Sequence, residues 1–250
     1  MTTEPKKTCL NGMGQYYVLV LVLFLLLASL ALTIVALLTD NWYRVHTPDN
    51  VNPEAKKKYN FHFGLWRLCY EDMPEAIAND ESYDKEGSSC IFIHKALIQK
   101  DEESMDYDSK LRLHLSRTVL GCNIAAAAVM LFSMIALMCG VWPAKCDNVK
   151  KPGLFLSVSI LLLFATLCGI ASGVCFIAVR DLDNTTVRTK AVLPPAVPLY
   201  ASQMFDWSFM LHWIGTGLAF VDSFLLLCLL KNSYDLVNEG PAKFTPYTNL

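Results

Sequence analysis

The stretch Phe63-Gly64-Leu65-Trp66-Arg67-Leu68-Cys69 brings a glycine, a tryptophan and a cysteine together within seven residues. It lies in a long polar segment, residues 39–118, which also contains Trp42 and has Cys90 as its only other cysteine. If this segment lies outside the cell, the two cysteines can pair and hold a small unit with an aromatic core against the membrane. The rest of the chain decides where the segment lies.

Four apolar runs, each long enough to cross about 30 Å of hydrocarbon, predict membrane spans. They cover residues 16–38, 119–141, 153–179 and 209–230 of a chain that is 54% hydrophobic. All 21 Lys and Arg residues, and every Asp and Glu except Asp222, lie outside these runs. Because the helices of a soluble protein carry charges at helical period, this pattern favours a four-span membrane protein. A net charge of −2 and the absence of a basic cluster with interleaved aromatics give no sign of a nucleic-acid partner.

The distribution of basic residues predicts the orientation of the spans. Residues 142–152 contain three lysines and one acid, whereas residues 180–208 contain three basic and three acidic residues. The positive-inside rule therefore places residues 142–152 and both termini, residues 1–15 and 231–250, in the cytosol. The first run is too long for the apolar region of a signal peptide and ends at residues 37–40 without a small-residue cleavage pattern, so it is interpreted as a retained signal anchor. We expect a multi-pass protein of the plasma membrane with residues 39–118 and 180–208 outside.

An outside location makes a Cys69–Cys90 disulfide the expected state, with two free thiols as the alternative. Around these cysteines, residues 41–46, 59–70 and 90–94 have the composition of strands, and residues 109–117 begin a helix that continues into the second span. The predicted fold is a membrane all-α bundle of four transmembrane helices with a small extracellular antiparallel sheet, formed mainly by residues 39–118.

The order of these features resembles the superfamily of claudins, peripheral myelin proteins, epithelial membrane proteins and voltage-gated calcium-channel γ subunits. The matching positions, all between the first two spans, are Trp42, Gly64, Leu65, Trp66, Cys69 and Cys90. A second match, Trp207-Ser208-Phe209 at the start of the fourth span, is more similar to the γ-subunit branch than to a typical claudin. The resemblance implies a claudin-like fold in which the motif is structural and has no catalytic role.

The residue types of the motif have roles that chemistry suggests. Trp42 and Trp66 can pack on the sheet or lie in an aromatic belt at headgroup level, and for Trp42 the belt is slightly favoured. Gly64 permits either a close backbone approach or an ordinary turn.

Within the spans, three pairs of small residues and one acid stand out. The pairs are Gly169 with Gly173, Gly121 with Ala125, and Gly215 with Ala219. They favour helix packing inside the bundle over lateral dimerisation. Asp222 is the intramembrane polar residue: it is expected to accept hydrogen bonds from Ser133 or Ser159, with docking to a partner's membrane helix as the alternative.

The polar edges carry candidate modification and docking sites. Cys9, Cys139 and Cys146 are candidates for palmitoylation, with unmodified thiols as the alternative. The chain ends with Thr248 and Leu250 in the pattern of a PDZ-domain ligand, which would make a PDZ scaffold a partner. Asn184 begins a glycosylation sequon close to the end of the third span.

The sequence predicts no enzyme, no cofactor and no metal site, because it has none of the common catalytic or metal-binding motifs. Two functions remain. One is an auxiliary subunit, similar to calcium-channel γ subunits, that modulates gating or trafficking of a membrane-protein partner such as a channel or receptor. The other is claudin-like adhesion at cell junctions through contacts between copies of the chain.

Overall fold

A computed structural model of the chain describes residues 12–48, 50, 52–79, 85–86, 89–93, 107–141, 151–185 and 201–238. Its helices are α1 Gly12–Leu38, α2 Pro53–Tyr59, α3 Glu75–Ala78, α4 Tyr107–Val141, α5 Lys151–Thr185 and α6 Trp207–Asn238. Its strands are β1 Tyr43–His46, β2 Phe61–Phe63, β3 Arg67–Tyr70, β4 Lys85–Glu86, β5 Cys90–Phe92 and β6 Ser202–Phe205.

The four long helices, α1, α4, α5 and α6, form the bundle, and each is long and apolar enough to cross a membrane. Helix α1 packs on α6, α6 on α5 and α5 on α4, while a smaller contact between α1 and α4 closes the ring. The bundle core contains Val22, Leu26, Met130, Leu162 and Leu226, all at most 1% exposed. Large apolar side chains such as Phe24, Phe132 and Phe164 point outward. Since outward-facing apolar side chains suit a hydrocarbon solvent, the predicted four-span bundle is confirmed.

The six strands form one antiparallel sheet in the order β4-β5-β3-β2-β1-β6. The sheet comes mainly from residues 39–118, as expected, but this segment supplies five strands where the sequence suggested three, and β6 comes from the second polar segment. The run 59–70, which suggested one strand, is instead the end of α2 followed by the hairpin of β2 and β3. The hairpin turn consists of Gly64, Leu65 and Trp66, and the Gly64 amide donates to the Arg67 carbonyl at 3.0 Å.

The sheet lies against one end of the bundle through its apolar face. Its inward side chains include Tyr43, Phe61 and Phe63, which share a core with Phe176 of α5 and Phe209 of α6. The sheet and the bundle therefore have a common hydrophobic core at this end, which we call the junction.

Candidate functional site at the junction of sheet and bundle

Trp42 lies at the centre of the junction and is fully buried. Its ring packs against Phe176, Phe209 and His212, with centroid distances of 5.0, 5.7 and 5.1 Å. Its indole nitrogen donates to the carbonyl oxygen of Ala36 at 2.6 Å. The slight preference for an aromatic-belt position was therefore wrong for Trp42, because the ring joins the core and its N–H finds a buried acceptor.

Trp66, like Trp42, donates a hydrogen bond to the C-terminal end of α1. Its indole nitrogen donates to the carbonyl oxygen of Leu37 at 2.8 Å, and its ring is only partly buried. Helix α1 ends at Leu38, so the carbonyls of Ala36 and Leu37 have no partner within the helix. The two tryptophans of the motif thus supply the hydrogen bonds that the last turn of α1 lacks.

Gly64 is required by a close backbone approach. A Cβ atom at this position would lie 2.7 Å from the Cα atom of Asp40 and would overlap the carbonyl oxygen of Thr39. Both obstacles are backbone atoms, which cannot rotate away. Of the two roles considered for this glycine, the structure supports close approach of the hairpin to the end of α1.

Cys69 and Cys90 form a disulfide at facing positions of β3 and β5. The bond closes a loop across 21 residues of sequence and ties the outer strand pair to the hairpin. Leu65 of the motif is buried in the junction core. The disulfide expected from the sequence is confirmed.

The start of α6 is attached to the segment that follows α1. The Ser208 amide donates to the Asn41 carbonyl at 3.1 Å, and the Asp206 amide donates to the Trp42 carbonyl at 3.1 Å. The hydroxyls of Ser208 and Thr39 are 2.7 Å apart; since Thr39 donates to the Val35 carbonyl, Ser208 is the donor between them. The structure thus brings the two sequence matches, the one between the first two spans and the one at residues 207–209, into contact.

Within the second match the three side chains have different surroundings. Ser208 and Phe209 are buried, whereas Trp207 is 44% exposed. The exposed ring at this end of the bundle has the position expected of an interfacial aromatic residue.

An ionic network at the junction was not found by sequence analysis. The guanidinium of Arg180 lies 4.2 Å from the ring centroid of Phe63 and pairs with Asp183 at 2.8 Å. Arg112 of α4 also pairs with Asp183. The sequence assigned Arg180 to a solvated loop after the third span, but α5 continues to Thr185 and carries Arg180 under the sheet. The only sequence signal for this network was the position of Arg180 directly after the apolar run 153–179.

Two further ion pairs hold the sheet to the helix ends. Arg67 of β3 pairs with Asp40 at 2.6 Å, and Arg44 of β1 pairs with Asp206 at 2.9 Å. On the outward face of the sheet, His62 lies next to Arg44. Partial burial lowers the pKa of His62 below its usual value, and the positive charge of Arg44 lowers it further.

Two of the three small-residue pairs lie in helix contacts. A Cβ atom on Gly173 would meet the ring of Trp213 at 2.6 Å, and one on Gly169 would meet Thr216 Oγ1 at 2.5 Å. A Cβ atom on Gly215 would meet Thr33 Oγ1 at 2.9 Å, and Ala219 is fully buried. Gly121, in contrast, is exposed, and nothing lies within 4 Å of its Cβ position, so it packs against none of the described residues.

Asp222 lies inside the bundle and is fully buried. Neither of its carboxylate oxygens has a hydrogen-bond partner among the described residues. The expected bonds from Ser159 and Ser133 are not formed: Ser159 donates instead to the Ser223 carbonyl at 2.9 Å, and the Ser133 hydroxyl reaches no described partner. Because Ser223 is on α6, the Ser159 hydroxyl bonds α5 to α6 through a backbone carbonyl and does not donate to the Asp222 carboxylate.

The remaining candidate sites lie at or beyond the limits of the structure. Cys139 is exposed on α4, and Asn184 lies in the last turn of α5, where its side chain is outside the description. Cys9, Cys146, Thr248 and Leu250 lie outside the described residues. Within the described part of the chain, no three His, Cys, Asp or Glu side chains come together as a metal site would require.

Comparison with known proteins gives two matches. The family model described as PMP-22/EMP/MP20/Claudin tight junction matches residues 27–228, from within α1 to near the end of α6. The voltage-dependent calcium channel gamma-1 subunit of Sus scrofa is 26% identical over 220 residues, which cover 82% of this chain and 85% of the relative. The matched family region contains the tryptophan caps, the glycine contact and the disulfide, and the chain is a multi-pass membrane protein that belongs to the PMP-22/EMP/MP20/claudin family.

Proposed function

We propose that this protein is a non-enzymatic auxiliary subunit of a membrane channel and that it modulates the gating or the trafficking of that channel. The observation that carries the proposal is the similarity to a calcium channel gamma-1 subunit over more than four fifths of both chains. The Trp207-Ser208-Phe209 sequence at the start of α6 supports the same branch of the family.

The architecture offers two surfaces to such a partner. The outward-facing side chains of the bundle, such as Phe132 on α4 and Phe164 on α5, can contact membrane helices. The solvent face of the sheet, with Arg44 and His62, can contact a polar domain. We infer from the basic loop 142–152 and from the disulfide that the sheet faces outside and that both termini are cytosolic.

The rigid attachment of the sheet gives a mechanism for modulation. A partner that contacts the sheet and the helices at once meets a single body, because Trp42, Trp66 and Arg180 join them. Such a body favours whichever channel state presents both contact surfaces at the matching spacing. It shifts the gating equilibrium by the difference between its affinities for the two states.

A direct test is to recover the full-length protein from native membranes through an epitope tag and to identify what accompanies it. We expect a pore-forming channel subunit, and coexpression of that subunit with this chain should change its voltage dependence or its surface density. The matched control is Gly64→Ala, which should disrupt the junction while leaving the outward faces of the helices unchanged in sequence. Recovery of copies of the chain alone, with no effect on any coexpressed channel, would contradict the proposal.

The second candidate function is adhesion between cells, which the tight-junction description of the matching family model favours. In this case the sheet would contact other copies of the chain. Expression in cells that lack junctions should then concentrate the protein at contacts between two expressing cells and not at contacts with a non-expressing cell. Uniform distribution at the surface of paired expressing cells would exclude this function.

A further inference from the structure

The least explained group in the bundle is the carboxyl of Asp222. The whole residue has no solvent-exposed surface, and both of its oxygens lack a partner among the described residues. On α6 it lies between Ala219 and Leu226, which are also fully buried in the bundle core. Because the other helices surround it, docking to a membrane helix of another protein cannot explain this residue.

The helices around Asp222 supply no positive charge. Helix α1 contains no Lys, Arg, His, Asp or Glu, and its titratable groups, Tyr16 and Tyr17, are exposed. From residue 119 to the end of α4, and from residue 153 to 179 of α5, the titratable groups are cysteines: Cys122, Cys139, Cys168 and Cys175.

Helix α6 itself contributes two basic groups, and neither faces the carboxyl. Lys231 is exposed, nine residues further along the helix. His212 is buried ten residues earlier, which is about 15 Å along a helix axis, and its Nε2 lies 3.0 Å from the Gly169 carbonyl. In the described part of the bundle, an ionised Asp222 would therefore be a buried charge without a counter-ion.

An ionised carboxylate without a partner is far more costly in an apolar interior than a neutral carboxylic acid, which needs only one acceptor for its O–H. We propose that Asp222 is a proton-binding site: at neutral pH it is the neutral carboxylic acid, and release of its proton to water weakens the packing of α6 against the other helices. This makes the stability of the bundle depend on proton concentration through a group that no charged neighbour controls.

The protonation state can be observed directly by infrared spectroscopy of the full-length protein in lipid nanodiscs. At pH 7 we expect a carbonyl band of a protonated carboxyl group that shifts after exchange into D2O. The band should be absent in Asp222→Asn and retained in the matched control Asp72→Asn, which removes an exposed carboxylate from the polar segment. Should the Asn variant fail to fold, Asp222→Glu should move the band. A wild-type spectrum without such a band, or a band that the Asp222 variants leave unchanged, would overturn the proposal.

A stability measurement gives an independent readout. The carboxyl of an unfolded chain ionises near pH 4, so the folded protein binds more protons than the unfolded chain above that pH. The melting temperature of the wild type relative to Asp222→Asn should therefore fall as pH rises from about 4 to about 7. A difference in melting temperature that stays constant over this range would show that Asp222 ionises as it does in water.

Discussion

At the scale of single residues, Gly64 leaves no room for a side chain because the atoms closest to its Cβ position belong to the backbone. In Gly64→Ala the added methyl group meets backbone atoms of Thr39 and Asp40, so the hairpin must move away from the end of α1. We expect a loss of about 1–3 kcal/mol in the free energy of unfolding, measured by thermal denaturation in detergent. Gly217→Ala is the matched control, because nothing lies within 4 Å of its Cβ position. Equal stability of the two variants would contradict the close approach.

Trp42 and Trp66, whose indole nitrogens donate to the last carbonyls of α1, differ in burial. Their substitution should therefore cost different amounts of stability. Trp42→Phe keeps an aromatic ring but leaves the Ala36 carbonyl without its donor in a buried site, which should cost about 1–3 kcal/mol of stability. Trp66→Phe should cost less, because Trp66 is only partly buried and water can replace its bond to Leu37. Chemical denaturation of both variants measures the order, and a larger loss for Trp66→Phe would refute it.

His62 makes the stability of the folded protein depend on pH. Because burial and Arg44 lower its pKa in the folded protein, the unfolded chain binds more protons below the ordinary histidine pKa of about 6.5. The stability contributed by neutral His62 is thus fully present above that pH and is lost as pH falls below it. The melting temperature of the wild type should drop on acidification by more than that of His62→Gln. Parallel curves would indicate that His62 titrates equally in both states.

Sequence reasoning reached some of these residues and missed others for a physical reason. The motif positions were found because tryptophan, glycine and cysteine are few in the polar segment and carry strong chemical preferences. The burial of Trp42 was not predicted, since an indole at a span end suits a headgroup belt equally well. Only the position of the Ala36 carbonyl, which depends on where α1 stops, distinguishes the two environments.

At the scale of elements, the contact between the end of α5 and the sheet depends on Asp183. Asp183→Asn removes the carboxylate that pairs with both Arg180 and Arg112, whose side chains are 9% and 14% exposed. Loss of one partner from a buried ion pair should destabilise the protein by about 3 kcal/mol. The matched control is Asp206→Asn, because its partner Arg44 has a side chain that is 47% exposed. Similar losses in melting temperature for the two variants would argue against a special role for the buried pairs of Asp183 with Arg180 and Arg112.

Strand β6 shows what the sequence could not predict at this scale. Its four residues are mostly exposed and do not alternate between apolar and polar faces, so they have no strand signature. The strand forms because it continues into α6 and pairs with β1 over four positions, from Tyr43 with Phe205 to His46 with Ser202. The length of helix α5 was underestimated for a similar reason. Its last turns are polar, and they are stabilised by the contact of Arg180 with the sheet and by its ion pair and not by burial of apolar side chains.

At the scale of the whole molecule, orientation is the prediction with the widest consequences. If the sheet faces outside, a tag inserted next to Asp72, in an exposed turn of the polar segment, should bind antibody on intact cells. Tags at either terminus should become accessible only after permeabilisation. Charge bias in the loops is the physical reason for this expectation. Staining of a terminal tag on intact cells would reverse the orientation and place the disulfide in a reducing compartment.

The overall architecture was largely predictable, because the hydrocarbon thickness sets the length of the apolar runs and charge is almost absent from them. The neighbour order of the helices was not predictable. It depends on contacts such as Gly173 with Trp213 and Gly215 with Thr33. Gly121 has the same sequence signature, yet no described residue of another helix lies within 4 Å of its Cβ position.

The pairing of β1 with β6 has a mechanical consequence. Strand β1 begins five residues after α1 ends, and β6 ends two residues before α6 begins, so two neighbouring strands are direct extensions of two neighbouring helices. A change in bilayer thickness or a neighbouring protein can tilt α1 relative to α6. Such a tilt must either shear the hydrogen bonds between β1 and β6 or rotate the sheet as one piece. The orientation of the sheet relative to the bundle therefore changes with the tilt angle between α1 and α6.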